Sequence, residues 1–306
     1  MKFSVFQVSR KGGRSNNEDR MGYCYTRDSA VFVLADGMGG HPQGEVAAQL
    51  ALQTVVELFQ KMAQTKLADV ADFLTEALMA SHRQILHYAI EKGLLDSPRT
   101  TIVVAVVQSD CVCWTHCGDS RLYWVRQGEL LTRTRDHSLL EQTQTGKIKS
   151  HERINRNALF TCLGSPIKPV FSVSAVQPLL HGDKLMLCSD GLWSSLSEDE
   201  IVFELGQKSV DSAVPDMVEL ALRNAGSHSD NVTCLGFTWE MPDVPASEHG
   251  SSAPDPVIDS TFASTVQSAW AEVPVDELND AEIERSIEEI NEAIRKAAEK
   301  KLTQTL

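Results

Sequence analysis

Three things are scarce in this 306-residue chain, and each scarcity removes a class of answers. No apolar run approaches the roughly 20 residues that cross a bilayer. The opening Met1-Lys2-Phe3-Ser4 has no long apolar core of the signal-peptide kind. The expectation is a soluble, cytoplasmic protein with no membrane partner. Basic charge is also short, with 28 Lys and Arg against 42 Asp and Glu and a net charge of −14. Nucleic-acid phosphates are held by clustered cations, so no nucleic-acid partner is expected. The seven cysteines, at 24, 111, 113, 117, 162, 188 and 234, are an odd number lying mostly in apolar runs. That argues for reduced core thiols rather than a disulfide framework. Cys111, Cys113 and Cys117 with His116 match no zinc-knuckle spacing, and the alternation of Cys111-Val112-Cys113-Trp114 reads as a strand. P-loop, dinucleotide fingerprint and internal repeat are all missing.

What is present suffices for a large core, since 42% of the residues are hydrophobic. The negative charge is unevenly spread: nine of the 14 excess charges lie from Asp243 onward. Composition divides the chain at the same place. Residues 1–240 carry the apolar periodicities of a folded domain, and 241–275, rich in Pro, Ser, Asp and Ala, read as a flexible linker. Residues 276–306 read as an acidic amphipathic C-terminal helix, with Ile283, Ile287, Ile290, Ile294 and Ala297 spaced by 4, 3, 4 and 3 behind Asn279 and Glu282. Such a helix is expected to dock on a partner or on its own domain.

Within the folded part, strands are expected at 3–9, 21–26, 31–35, 100–107, 111–117, 121–125, 184–189 and 232–239. Helical spacing covers 46–62, 70–90, 197–205 and 214–225, the third opening on a Ser197/Glu200 capping pair. Short connections between strands imply antiparallel pairing. The polar segment 141–157 reads as a surface excursion. One arrangement recurs: Leu34-Ala35-Asp36-Gly37 and Cys188-Ser189-Asp190-Gly191 each drive an apolar run into Asp-Gly, and Asp119 and Asp230 also stand at strand edges. After Asp36 the chain places four glycines within eight residues, Gly37, Gly39, Gly40 and Gly44, which serve either a plain turn or a close backbone approach to an ion or phosphate.

Carboxylates gathered without lysines repel one another, so a cluster of them calls for a cation. Oxygen-only ligands favour hard ions, Mn2+ or Mg2+, over zinc or copper. Two such ions, with Arg14 offering a planar fork to phosphate oxygens, would perform metal-assisted phosphoester hydrolysis.

Eight segments occur in an order that resembles a known family. They are Arg14-Ser15-Asn16-Asn17-Glu18-Asp19, Ala35-Asp36-Gly37-Met38-Gly39-Gly40-His41, Thr100-Thr101, Gly118-Asp119-Ser120-Arg121, Asp136-His137-Ser138, Leu163-Gly164, Ser189-Asp190-Gly191-Leu192-Trp193 and Ser229-Asp230-Asn231. Together they resemble the metal-dependent serine/threonine protein phosphatases of type 2C, in their compact bacterial form. The resemblance covers about residues 3–239 and implies an α+β fold: a four-layer αββα sandwich of two antiparallel β-sheets flanked by helix pairs. It implies that Asp36 bridges two metals, that the Gly37 carbonyl holds one, and that Asp190 and Asp230 hold the other. Asp119 would join Asp190 at a weaker third site, Glu18 and Asp19 would orient water on the metals, and Arg14 would bind the substrate phosphate. A substrate flap would lie at 141–157, bringing Lys147, Lys149, His151 and Arg153 near substrate. Expected partners are phosphorylated Ser/Thr proteins and a kinase-linked partner, the enzyme opposing a bacterial Ser/Thr kinase.

One position departs from the family. Animal members have a histidine directly after the Asp-Gly pair to protonate the leaving oxygen, where this chain has Met38, which has no proton to donate. His41 is the candidate substitute in catalysis; the plainer reading makes it a helix-entry residue, with a metal-bound water serving as acid instead. Two rival functions, a catalytically dead phosphoprotein adaptor and a small-molecule phosphoesterase, differ in the first lacking metal aspartates, all of which stand here.

Overall fold

The strand Ser29–Asp36 (β3) is buried along its length on both faces, which explains its unbroken apolar run. The computed structural model, describing residues 1–138, 158–240 and 263–265, shows where the two faces point. Val31, Val33 and Ala35 pack against the helices Gly44–Met62 (α1) and Val70–Glu91 (α2). Ala30, Phe32 and Leu34 face a second sheet instead, where Phe32 stacks on Phe237 with centroids 4.0 Å apart.

Around β3 run Asp19–Tyr25 (β2), Ile102–Gln108 (β4) and Cys111–Cys117 (β5). Two short strands, Gln177–Pro178 (β8) and Ala263–Ser264 (β11), complete a six-stranded sheet in the order β11-β2-β3-β4-β5-β8. The facing sheet joins Lys2–Arg10 (β1), Arg121–Arg126 (β6), Glu129–Arg133 (β7), Lys184–Cys188 (β9) and Val232–Glu240 (β10) in the order β1-β10-β9-β6-β7. Every strand pair is antiparallel. Beyond the one-turn Asp190–Trp193 (α3), the helices Glu198–Gln207 (α4) and Val210–Ala225 (α5) cover the outer face of this second sheet. Three separate apolar layers result, one between the sheets and one under each helix pair, so the architecture is the αββα sandwich.

Local chemistry accounts for the element ends. Ser197 and Glu200 form the reciprocal capping box at the start of α4, and the Asp69 carboxylate accepts from Ala71 and Asp72 N–H at the start of α2. α5 begins at Val210, four residues before the start that its spacing predicts, because Val210 and Val214 pack over Gly236 of β10, whose missing Cβ leaves them room. The strand β7 escapes sequence periodicity because it is a half-exposed edge, and the turn that makes it, Gln127-Gly128, has positive φ at both residues (52° and 82°). β11 lies in the stretch that composition assigns to a linker and pairs with the outer edge of β2, Ala263 opposite Tyr25 and Ser264 opposite Cys24. No helix among the described residues is long and apolar enough to cross a membrane. The expected surface segment 141–157 and the acidic C-terminal helix lie outside the described residues.

Candidate active site

One end of the sandwich, where strands from both sheets stop, gathers the acidic residues. Asp36 is the last residue of β3 and Asp19 the first of β2, and the two are direct cross-strand partners. The Asp36 carbonyl is held by Thr101 N–H and by Thr100 Oγ1, both at 2.8 Å. Asp19 is buried, and its Oδ2 accepts from Ser189 Oγ at 2.8 Å. Ser189 directly follows the other sheet's β9 and also accepts from Thr233 N–H of β10, so this one hydroxyl ties the two sheets together beneath the site. Asp190 follows it at the first turn of α3. Gly191 is required there by close approach: a Cβ would stand 2.1 Å from the Asn231 carbonyl, so α3 lies directly on the Asp230-Asn231 turn.

Asn231 organises the remaining wall. Its Oδ1 accepts from Glu18 N–H at 2.8 Å, and its Nδ2 donates to the carbonyls of Lys11 (2.8 Å) and Asn16 (2.9 Å). The loop from Lys11 to Glu18 is thereby fixed on the turn that carries Asp230. Gly13 N–H adds bonds to the Ser229 carbonyl and Oγ, both 2.9 Å. Gly37 has ordinary negative φ, so positive φ is not its purpose. Its Cβ would meet the Gly44 carbonyl group at 2.4 Å and Glu18 Cβ at 2.9 Å, and a glycine lets the start of α1 close on the strand end.

These walls enclose a cleft of about 290 Å3 lined by Arg14, Glu18, Asp36, Gly37, Met38, Asp119, Leu159, Asp190 and Asp230 with their neighbours. Among the described residues the lining has five carboxylates and one cationic side chain. Burial, then repulsion from Asp19, Asp190, Asp119 and Asp230, holds the Asp36 carboxyl well above the usual carboxylate range. Its residue surface is half-buried, at the wall of the cleft. The same causes, burial first, push Asp190 up to about 7, with Asp119 and Asp230 the main like charges. Burial and Asp136 push Asp119 up to about 6. Glu18 is raised by burial and by Glu45. Two buried oxygens, Glu18 Oε2 and Asp19 Oδ1, have no hydrogen-bond partner. A hard divalent cation in the cleft offsets the charge of the lining carboxylates and ligates their oxygens. Among the described residues no three His, Cys, Asp or Glu side chains close into a cage. Hydrated hard ions reach part of their ligand set through water.

Residues 8–225 match the family model described as Protein phosphatase 2C, more than half of the chain. The chain belongs to that family. The serine/threonine phosphatase stp of Listeria welshimeri is 31% identical over 236 residues, 75% of this chain and 93% of the relative. Stp1 of Staphylococcus aureus, a serine/threonine phosphatase of known crystal structure, superposes with a TM-score of 0.70 at 28% identity, over 78% of this chain and 96% of that one. The catalytic domain of the serine/threonine protein phosphatase PstP, solved with two manganese ions, gives a TM-score of 0.63 at 30% identity, over 77% and 97% of the two chains.

In this protein phosphatase 2C chain, Arg14, Glu18, Asp36, Gly37, Asp119, Asp190 and Asp230 all line the one cleft. Asp19 lies behind it, bonded to Ser189. His41 does not line it: the Gly39-Gly40 turn, with φ of 92° at Gly40, carries the imidazole to Asp96, whose Oδ2 is 3.0 Å from Nδ1. The Asp136-His137-Ser138 segment acts as scaffold. Arg121 makes a two-pronged bond to Asp136 (2.8 and 2.7 Å) and lies over the Trp193 ring at 3.6 Å, while Trp193 Nε1 donates to the Asp119 carbonyl at 2.9 Å. His137, lowered to about 4 by burial and its neighbour His116, is neutral and accepts Gly118 N–H at Nδ1. Sequence motifs contained Asn231, Thr100, Thr101, Ser189 and Trp193, yet the positioning roles of these residues had no signal there, because each acts on a group far away in the chain.

Proposed function

We propose that this chain hydrolyses phosphoserine and phosphothreonine in proteins, with two core Mn2+ or Mg2+ ions and a weaker third. The observation that carries the reading is the cleft itself, whose lining among the described residues sets five carboxylates against one cation, Arg14. The PstP catalytic domain, of the same fold, holds two manganese ions. Asp36 and the Gly37 carbonyl would hold one ion, Asp36, Asp190 and Asp230 the other, and Asp119 with Asp190 the third. When bound, such ions polarise a phosphoryl oxygen and acidify water for in-line attack. The chain's own residues do the rest. Arg14 clamps phosphate oxygens with its planar fork, and Glu18, with an oxygen that no protein group satisfies, orients water in the cleft. Buried Asp19 acts through Asp36 and Ser189, fixing the strand ends. At about 290 Å3 the cleft is of a size to admit a phosphorylated side chain and leave the remaining substrate outside.

The finer reading is a cytoplasmic enzyme opposing a bacterial Ser/Thr kinase, with the acidic segment 276–306 docking on a partner or on its own domain. The test is phosphate release from a phosphothreonine peptide. Mn2+ should be required, and Asp36→Asn and Asp190→Asn should each lower kcat beyond the roughly 10–100-fold that changes outside the ligand shell cost. Activity retained in both variants, or after chelation, overturns the two-ion reading.

A further inference from the structure

Arg14 has a partner in this structure, and it is a carboxylate. Its Nη2 donates to Asp230 Oδ2 at 2.6 Å. The second Asp230 oxygen, Oδ1, accepts the backbone N–H of Asn231 at 2.8 Å. Both oxygens of Asp230 are therefore engaged by donors, although Asp230 is a carboxylate that the two-ion reading gives to a cation. A guanidinium and a divalent cation drawn to the same carboxylate oxygen repel each other. The side chains are 57% and 35% exposed, so the pair is of the weak, solvent-screened kind. A divalent ion brings twice the charge and direct ligation, and displaces such a partner readily.

We propose that Arg14 is a toggle: it serves as the counter-ion of Asp230 in the metal-free enzyme, and cation loading at Asp230 frees its guanidinium for the substrate phosphate. This rests on the two-ion reading of the cleft. The backbone under Arg14 does not need to move, because the Asn231 side chain and Ser229 already pin the loop on both sides of it. Only the side chain swings. On the opposite side, Gly39 offers no obstacle: a Cβ placed there would lie 3.9 Å from Arg14 Nη1, with nothing nearer. Binding is then ordered, cation before phosphate, and by linkage a phosphate on Arg14 tightens the cation at Asp230 by the same factor.

The test follows the arginine rather than turnover. The full chain is treated with p-hydroxyphenylglyoxal, an arginine-selective reagent, with and without Mg2+, and modification at Arg14 is followed by mass spectrometry while calorimetry measures Mg2+ binding. Mg2+ should speed modification of Arg14 by about two- to five-fold, the factor expected for releasing an exposed ion pair. Inorganic phosphate should then protect Arg14 strongly with Mg2+ present and weakly without it. In Asp230→Asn, Arg14 should react at the fast rate in both conditions. Mg2+ binding that leaves the Arg14 rate unchanged overturns the toggle and leaves the phosphatase reading standing. No heat of Mg2+ binding at all overturns the two-ion reading, and the toggle with it.

Discussion

At the scale of single residues, His41 shows how far chain proximity can mislead. It stands three residues after Met38, in a position to replace a missing proton donor, yet the Gly39-Gly40 turn directs it to Asp96. Asp96 in turn bonds Arg99 at 3.2 Å, and both partners hold its carboxyl below the ordinary range against the opposing effect of burial. The imidazole thus completes a surface hydrogen-bonded cluster with Asp96 and Arg99. His41→Ala should change kcat on a phosphothreonine peptide by less than about three-fold and leave its pH profile in place, whereas loss of a general acid costs about 10²–10⁴-fold. Steady-state kinetics across pH 6–9 checks this, and a loss of 10²-fold or more would return His41 to the chemistry.

At the scale of elements, the site is made where strands end. Asp36 closes β3, Asp19 opens β2, Asp190 follows β9 and Asp230 precedes β10, so carboxylates from both sheets meet without any one element holding more than one or two of them. Antiparallel pairing makes this possible, since alternate strand ends fall at the same edge of the sandwich. The loop before β2 has no regular structure of its own and owes its place to Asn231. Asn231→Ala removes three side-chain hydrogen bonds. At about 1 kcal/mol each, with a penalty for any buried group left unpaired, it should cost about 2–4 kcal/mol in urea unfolding. It should also raise KM for the peptide more than Ser209→Ala, a control at the α5 cap whose hydroxyl makes no cap bond. Equal KM values would separate Asn231 from the placement of Arg14 and Glu18.

At the scale of the whole molecule, the fold stores electrostatic strain at one end that a cation relieves. Asp190 near 7 and Asp119 near 6 bind their protons more tightly in the folded chain than in the unfolded one, where Asp titrates at about 3.9. Between about pH 4 and 7 the folded state carries the extra protons, so the stability of the metal-free protein falls as pH rises through that window. In a chelator, Tm should therefore drop from pH 5 to pH 7.5. Mg2+ at about 100 times its Kd adds about 2.7 kcal/mol, or roughly 5–10 °C for a domain of this size. Its increment should be larger at pH 7.5 than at pH 5, where protons compete for the same oxygens. A Tm in chelator that rises with pH, or an increment that ignores pH, would contradict this picture.

The sequence by itself determined the layers and the chemistry of the site. Apolar runs and 3.6-residue spacing specify β3, α1, α2 and α4 because burial on one or two faces is written residue by residue. The repeated strand-Asp-Gly pattern at Asp36 and Asp190 marks two of the carboxylates that line the cleft, because each stands where a buried strand gives way to the cleft wall. Tertiary structure alone decided where those side chains point and what holds them. Gly37 and Gly191 prove to be glycines for backbone contact, His41 turns away to Asp96, Asn231 pins a loop more than 200 residues distant, and Arg14 meets Asp230 across a gap of 216 residues. Such contacts depend on the packing of two sheets face to face, and no local pattern carries them, because each is set by a partner that becomes a neighbour only after the chain has folded.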